Sequence, residues 1–352
     1  MADELSDGPD APASDVPGNR PGAGTFNLQD IARRAGVSPI TVSRVINKPE
    51  MVSEATRSRV LGVIQEMGFV LNRLASSFSR ASSRIVGTVA PPIINSGIAE
   101  QVQGMSDVFA NSDYQLLVSP GDLSAENEER QIMSILGWQP AGFILQAFPE
   151  SDGMRETLKL RQLPVVEISE LVGKEPIDCL VGISNHEAAR RMTLFLAELG
   201  YQRISFMGAH SHGNDRAMRR TLGYRAAMAE LGRQPVVVVG PLHPSYAAAG
   251  LREILEIAPD TQVVFCASDT FAIATIQECR RRGLRVPEDL AIAGFGDLDL
   301  APLIVPAITT VRVDRYRMGR IAAETLLRRI AGDTSIERVQ DVGFSIVRRD
   351  SA

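Results

Sequence analysis

The chain has 352 residues, of which 44% are hydrophobic and 22% charged, with a formal net charge of −5. That length and apolar content support two or three globular domains with real cores and exclude a disordered or fibrous chain. No apolar run approaches the roughly 18–20 residues of a membrane span, and Cys179, Cys266 and Cys279 show neither zinc-site nor redox spacing, an odd count that fits a reducing cytosol.

Residues 1–24 are rich in Ala, Pro, Gly, Ser and Asp, with five acids against Arg20, and read as a disordered acidic tail. The tail has no apolar stretch of a secretory signal, so a cytoplasmic protein is expected. Residues 25–84 reverse the sign. Nine Arg and Lys stand there against only Asp30, Glu50, Glu54 and Glu66. A basic segment on an otherwise acidic chain fits a polyanion partner, and it also fits a solvated, mixed-charge helical surface; charge alone does not separate the two.

Helix signals follow in order. Asn27 with Asp30 three residues on forms a capping box, Ile31, Ala32 and Ala35 give an apolar face, and Gly36 suits a left-handed helix end. Ser38 is an N-cap with Pro39 at the first helical position. Val42, Val45 and Ile46 face inward, which leaves Ile40, Ser43, Arg44 and Asn47 outward. Ser53 caps a third helix with Val60, Ile64 and Met67 as its stripe. Three short helices, the first two joined by a tight turn, make a helix-turn-helix plan whose second helix enters the major groove. Arg44 can grip guanine with two bonds, and Asn47 can reach base or phosphate. Thr41, Ser43, Ser53 and the amides at helix starts can bond phosphate oxygens. An ordinary three-helix bundle with polar outward positions would satisfy each residue singly.

Beyond residue 85, short β-branched runs near 85–89, 115–119, 141–145, 165–168, 203–207, 236–239, 262–267 and 290–295 alternate with helical patterns such as 187–199 and 271–282. Such βαβ units predict parallel sheets covered by helices, with chain enough for two lobes. No P-loop, GxGxxG after a strand, HExxH or GxSxG occurs, and His186, His210, His212 and His243 have no metal spacing. No enzyme, cofactor or metal is therefore expected. A secreted solute-binding protein would share the body fold but would need a signal peptide and would lack the basic head.

The run LQDIARRAGVSPITVSRVINKPEMVSEATRSRVLGVIQEMGF, residues 28–69, resembles the DNA-binding head of the LacI/GalR repressor family, with AGVSPITVSRVIN as its most specific part. The resemblance implies an all-α helix-turn-helix head (25–71), a hinge (72–84), and an α/β periplasmic-binding-protein-like body of two lobes with parallel sheets (85–352). In that body the chain crosses between lobes near 182–185, near 312–314, and last after the helix ending near Ile330. The DNA-contacting set is then Leu28, Ser38, Pro39, Ile40, Thr41, Ser43, Arg44, Asn47 and Ser53, with Phe78 in place of the family's hinge leucine. Pro39 and Ile40 take the variable base-reading positions, where neither side chain can donate a hydrogen bond and readout is apolar. Phe78 would wedge the minor groove, or else pack against the body. Leu71-Asn72 replaces the family's usual Pro-Asn, which leaves the start of the hinge undefined.

Two segments, EISELVGKEPIDCLVGISNHEAARRM and FCASDTFAIATIQECRRRGLRVPEDLAIAGFGDLD, resemble the gluconate-utilisation repressors of that family. They imply a sugar-acid effector, with a neutral sugar or a purine as the alternative. The resemblance places Asn95, Ser96, Glu167, Ser169, Arg220, Asp269 and Asp297 around it. Ser169 and Gly296 stand where sugar binders usually carry acids, and their loss favours an anionic ligand. Arg220 could equally belong to a solvated basic helix face with Arg216 and Arg219, Asp269 could merely cap a helix, and Asn185 and His186 are expected to open a helix rather than touch ligand. The partners expected are a pseudo-palindromic double-stranded DNA operator, the effector, and a second copy of the chain, a dimer rather than a coiled-coil tetramer because no heptad tail follows the body.

Overall fold

The computed structural model describes residues 26–69, 83–91, 96–121, 124–146, 151–171, 175–210, 215–241 and 243–352. The expected tail, nearly all of the expected hinge with Phe78, and Asn95 lie outside these residues, as do the side chains of Asn47 and Ser169. The chain divides into two compact units, Met1–Ser79 and Arg80–Ala352.

The head holds α1 (Leu28–Ala35), α2 (Pro39–Asn47) and α3 (Glu54–Glu66). Each start follows from its cap. The Asn27 side chain accepts the amides of Gln29 and Asp30 at 2.8 and 3.1 Å, while the Asp30 carboxylate accepts the Asn27 amide at 3.0 Å. Ser38 and Ser53 accept the amides of Thr41 and Thr56. Gly36, at φ 64°, ends α1 in the left-handed region that any side chain would strain. Ile31, Ala32, Ala35, Val42, Val45 and Val60 close into one small core.

The body has two lobes of like design. The first sheet is built from β1 (Ile85–Ala90), β2 (Gln115–Pro120), β3 (Gly142–Leu145), β4 (Val165–Glu170) and β5 (Cys179–Ile183), interleaved with α4 (Ser96–Ala110), α5 (Ala125–Leu136) and α6 (Asp152–Leu160). Then come α7 (Asn185–Glu198), β6 (Ile204–Ala209), α8 (Asp215–Glu230), β7 (Val236–Gly240), α9 (Ala247–Ile257), β8 (Val263–Cys266), α10 (Asp269–Arg281), β9 (Ala291–Gly296), β10 (Thr309–Arg312), α11 (Arg315–Ile330), β11 (Val339–Asp341) and β12 (Ser345–Val347). The sheet orders are β2-β1-β3-β4-β5-β11 and β7-β6-β8-β9-β10-β12, all parallel except β10 with β12. The eight runs read from the sequence all become strands, with ends shifted by up to two residues. β5, β10, β11 and β12 carried no separate expectation.

The chain changes lobe between β5 and α7, between β10 and α11, and between β11 and β12. The first two crossings are where the resemblance put them. The third comes later than Ile330, because β11 first pairs with β5 through Val339–Asp341. Helix α11 packs on β3, β4 and β5 of the first lobe, and α7 on β6 and β10 of the second. One apolar cluster, from Val86 and Val166 to Phe206 and Phe265, runs through both lobes.

Two glycines set one helix crossing. A Cβ on Gly319 of α11 would lie 2.0 Å from the Gln101 carbonyl oxygen of α4, and one on Gly104 of α4 would lie 2.2 Å from that of Tyr316. These helices therefore touch backbone to backbone. Gly319→Ala is expected to cost about 1–3 kcal/mol by overpacking, read as a lower urea midpoint of the purified protein; an unchanged midpoint would mean the helices separate freely.

Among the described residues no helix is long and apolar enough to cross a membrane. The three cysteines are buried and unpaired, and burial pushes the Cys266 thiol up to about 12, which leaves it a packing residue.

Candidate DNA-reading face and ligand cleft

The second head helix presents a surface of mixed chemistry. Ile40 is 65% exposed beside Pro39, and Arg44 and Lys48 are exposed with no carboxylate partner among the described residues. Three other head arginines are engaged nearby: Arg33 with Asp30, Arg34 with Glu66, Arg57 with Glu54. Arg44 is thus left for an outside partner. Ser38 and Ser53 already serve as caps and share hydroxyl bonds with Thr41 and Thr56 at 2.9 and 3.0 Å, which orients the first turns of α2 and α3. Ser43 is half-buried, and Leu28 packs against the head core.

In the body, a narrow cavity sits at the first two inter-lobe crossings. Ile168, Ile183, Val313 and Met318 form the apolar side, and Gln101 and Asn185 supply amides. Three guanidiniums reach it, from Arg216 and Arg220 of α8 and from Arg315 at the start of α11. Arg216 and Arg220 are one turn apart and so share a helix face.

Arg220 is fixed in place. Its Nε donates to Asn185 Oδ1 at 2.8 Å, its Nη1 donates to the Ala267 carbonyl at 2.8 Å, and its guanidinium lies 3.9 Å from the Phe295 ring centre. It belongs to the cleft, not to a solvated helix face. Burial, then the Arg315 and Arg216 charges, pull its proton affinity well below the ordinary guanidinium range, against Glu170 and Asp269. Arg315 is pulled down to about 10, by burial first and then by Arg216. These groups hold a concentrated positive charge in a half-buried site, where a carboxylate or phosphate is screened less than in open solvent.

The other expected effector residues separate. Glu167 is fully buried on the opposite face of β4, where its carboxylate accepts from Arg155 Nη1 at 2.9 Å and from the Ile177 amide at 2.7 Å. Strand alternation explains this: Ile168 and Glu170 share the cleft-side face that Glu167 cannot reach. Asp269 is fully buried and accepts from Thr310 Oγ1 at 2.6 Å and from the Leu298 amide at 2.7 Å, while Ser268 caps α10. Gly294 makes room for that carboxylate, since a Cβ there would lie 2.1 Å from Asp269 Oδ1. Asp297 is pinned between Arg312 and Arg349 at 2.6 and 2.7 Å. Gly296 has φ 133°, so an acid at that position would carry backbone strain. Ser96 opens α4 on a separate depression lined by Thr270, Leu298 and Leu300.

Residues not anticipated take their place. Asn185 opens α7, as expected, and also lines the cavity; its amide donates to Glu170 Oε2 at 2.6 Å. Burial raises the Glu170 carboxyl. Gln101 donates to Gln146 at 3.2 Å, leaving one buried end of each amide without a partner among the described residues.

With this geometry in hand, known proteins offer comparisons. A family model described as bacterial regulatory proteins, lacI family, matches residues 27–72, and one described as a periplasmic binding protein-like domain matches residues 193–352. The HTH-type transcriptional regulator GntR of Escherichia coli (strain K12) is 34% identical over 91% of this chain and 96% of its own length. The regulator IdnR of the same organism is 30% identical over 91% of this chain and 97% of its own. A LacI-family transcriptional regulator from Silicibacter pomeroyi has a similar structure, with TM-score 0.86 at 29% identity, over 93% of this chain and 99% of that one. The lac repressor dimer bound to operator and the anti-inducer ONPF has TM-score 0.83 at 21% identity, over 93% and 99% of the two chains, a likeness of fold alone.

Proposed function

The chain belongs to the LacI family of DNA-binding transcription regulators, and from that membership we propose that it is a repressor whose operator affinity is set by a sugar acid of the gluconate type. The observation that carries the effector class is Arg220, braced by Asn185, Ala267 and Phe295 beside two further guanidiniums. A carboxylate there receives two charge-assisted hydrogen bonds, and a hydroxyl along the chain meets the free end of Gln101, which lines the cavity. The cavity touches both crossings, so a ligand in it favours one lobe arrangement over another, and that difference is what it can pass on to DNA affinity. The protein works as a homodimer on a pseudo-palindromic operator; the lac repressor, of similar fold, binds its operator as a dimer.

Isothermal titration tests the effector. D-gluconate is expected to bind and D-glucose not; tight binding of glucose or of a purine with no binding of gluconate would overturn the sugar-acid reading and leave the regulator standing. The head is tested separately. Arg44→Ala is expected to weaken specific DNA binding by about 1–3 kcal/mol and to relax preference at one base pair. Fluorescence anisotropy on an operator selected by the wild-type protein from a random pool reads both effects, and equal affinity and preference would remove Arg44 from base reading.

A further inference from the structure

We infer that the effector carries two anionic groups, one at each end: a carboxylate taken by Arg220 and a second carboxylate or a phosphate taken by Arg315 with Arg216. This rests on the sugar-acid reading and narrows it. The three guanidiniums enter the cavity from two sides, Arg216 and Arg220 from α8 and Arg315 from the start of α11. Arg220 is held against the second-lobe wall by the Ala267 carbonyl and the Phe295 ring. Arg315 lies along α4 of the first lobe, so close that a Cβ on Gly97 would fall 2.5 Å from its Nε. Glycine at 97 is what lets this side chain pass.

The two ends also differ in how well their donors are met. Arg220 has two of its bonds made inside the protein. No hydrogen bond or ion pair joins Arg315 or Arg216 to any described residue, and the Arg315 Nε is buried without an acceptor. The acids that act on Arg315 are Glu100 and then Asp269, itself bonded to Thr310 and Leu298, and those that act on Arg216 are Asp215 and Glu128. They balance part of the charge without satisfying those donors. Both side chains are half-buried, and a buried donor without an acceptor, as the Arg315 Nε is, gains from an anion brought by the ligand. A monocarboxylate gripped by Arg220 leaves Arg315 and Arg216 as they are. A chain of sugar-acid length with a second anion at its far end meets all three.

The experiment titrates the full-length protein with D-gluconate, D-glucarate, 6-phospho-D-gluconate and glucose 6-phosphate by calorimetry at fixed ionic strength. At least one of the two-ended acids is expected to bind about tenfold or more tighter than both gluconate and glucose 6-phosphate, and the better of the two tells a carboxylate from a phosphate at the second end. In Arg315→Gln, checked for an unchanged melting temperature, the ratio of two-ended acid to gluconate affinity is expected to fall towards one, with Arg315→Lys keeping part of it. Gluconate binding as tightly as both two-ended acids would overturn this inference while leaving the sugar-acid reading intact. A wild-type preference that Arg315→Gln does not reduce overturns the assignment of the second end. Glucose binding with none of the acids binding overturns both readings together.

Discussion

Arg220→Ala is expected to weaken sugar-acid binding by about 30- to 1,000-fold, while the unliganded protein still binds its operator. The size follows from what the side chain does. A hydrogen bond to a charged group contributes about 1.5–3 kcal/mol, and truncating one partner of a buried charged pair costs about 2–5 kcal/mol. Arg220 is already oriented by Asn185 and Ala267 and backed by Phe295, so the free protein spends little to present it. Arg220→Lys should recover only part of the loss, because an ammonium keeps the charge but not the planar fork. Calorimetry reads the affinity, and operator anisotropy without effector reads the intact head. Binding at wild-type strength in Arg220→Ala would take the carboxylate away from this residue.

Arg155→Ala is expected to destabilise the body by about 3–5 kcal/mol, the usual result of stranding a buried charge. Glu167 is fully buried, and apart from Arg155 its hydrogen-bond partner among the described residues is the Ile177 amide. Arg155 also donates to the Glu175 carbonyl, so its loss frees the turn before β5 as well. Even with both partners present, burial outweighs them and holds the Glu167 carboxyl above its ordinary value. Without Arg155 the group rises further. A folded-state pKa above the unfolded one means the folded state binds the proton more tightly, so stability falls as pH rises between the two values. The deficit of the variant should therefore be greatest near neutrality and shrink as pH drops towards the unfolded carboxylate value of about 4.3. Urea denaturation of both proteins at pH 7 and pH 5 checks this; a deficit below about 1 kcal/mol at pH 7, or one that grows on acidification, would contradict it.

The head was almost wholly legible, because every signal in it is local: cap, turn glycine and apolar stripe lie within four residues of what they control. The long strands of the body were legible for the same reason. β10, β11 and β12 were not, since runs of three or four residues hold too few alternations to show a period. β5 is a wholly buried run, CLVGI, which has no alternation to read. The cleft was partly legible. Arg220 was found, but its partner on β4 was placed one face off, at Glu167 rather than towards Glu170, and in a strand an odd offset in position reverses the side. Arg315 lies about a hundred residues from Arg216 in sequence, and only the topology brings them to one cavity. Asp269 and Asp297 have the right chemistry for hydroxyl binding, yet their hydrogen bonds and ion pairs go to the protein itself.

The order in which the chain is laid down has a mechanical consequence. Helix α11 and strand β11, which complete the first lobe, come after nearly all of the second, and α7, which packs on the second lobe, directly follows the first. Neither lobe is therefore a contiguous stretch that a fragment could carry, and a single cut near residue 184 deprives the first of a helix and an edge strand at once. The apolar cluster common to both lobes adds to this interdependence. The body has the design of two modules but is expected to unfold as one, with heat or denaturant melting the lobes together in a single transition.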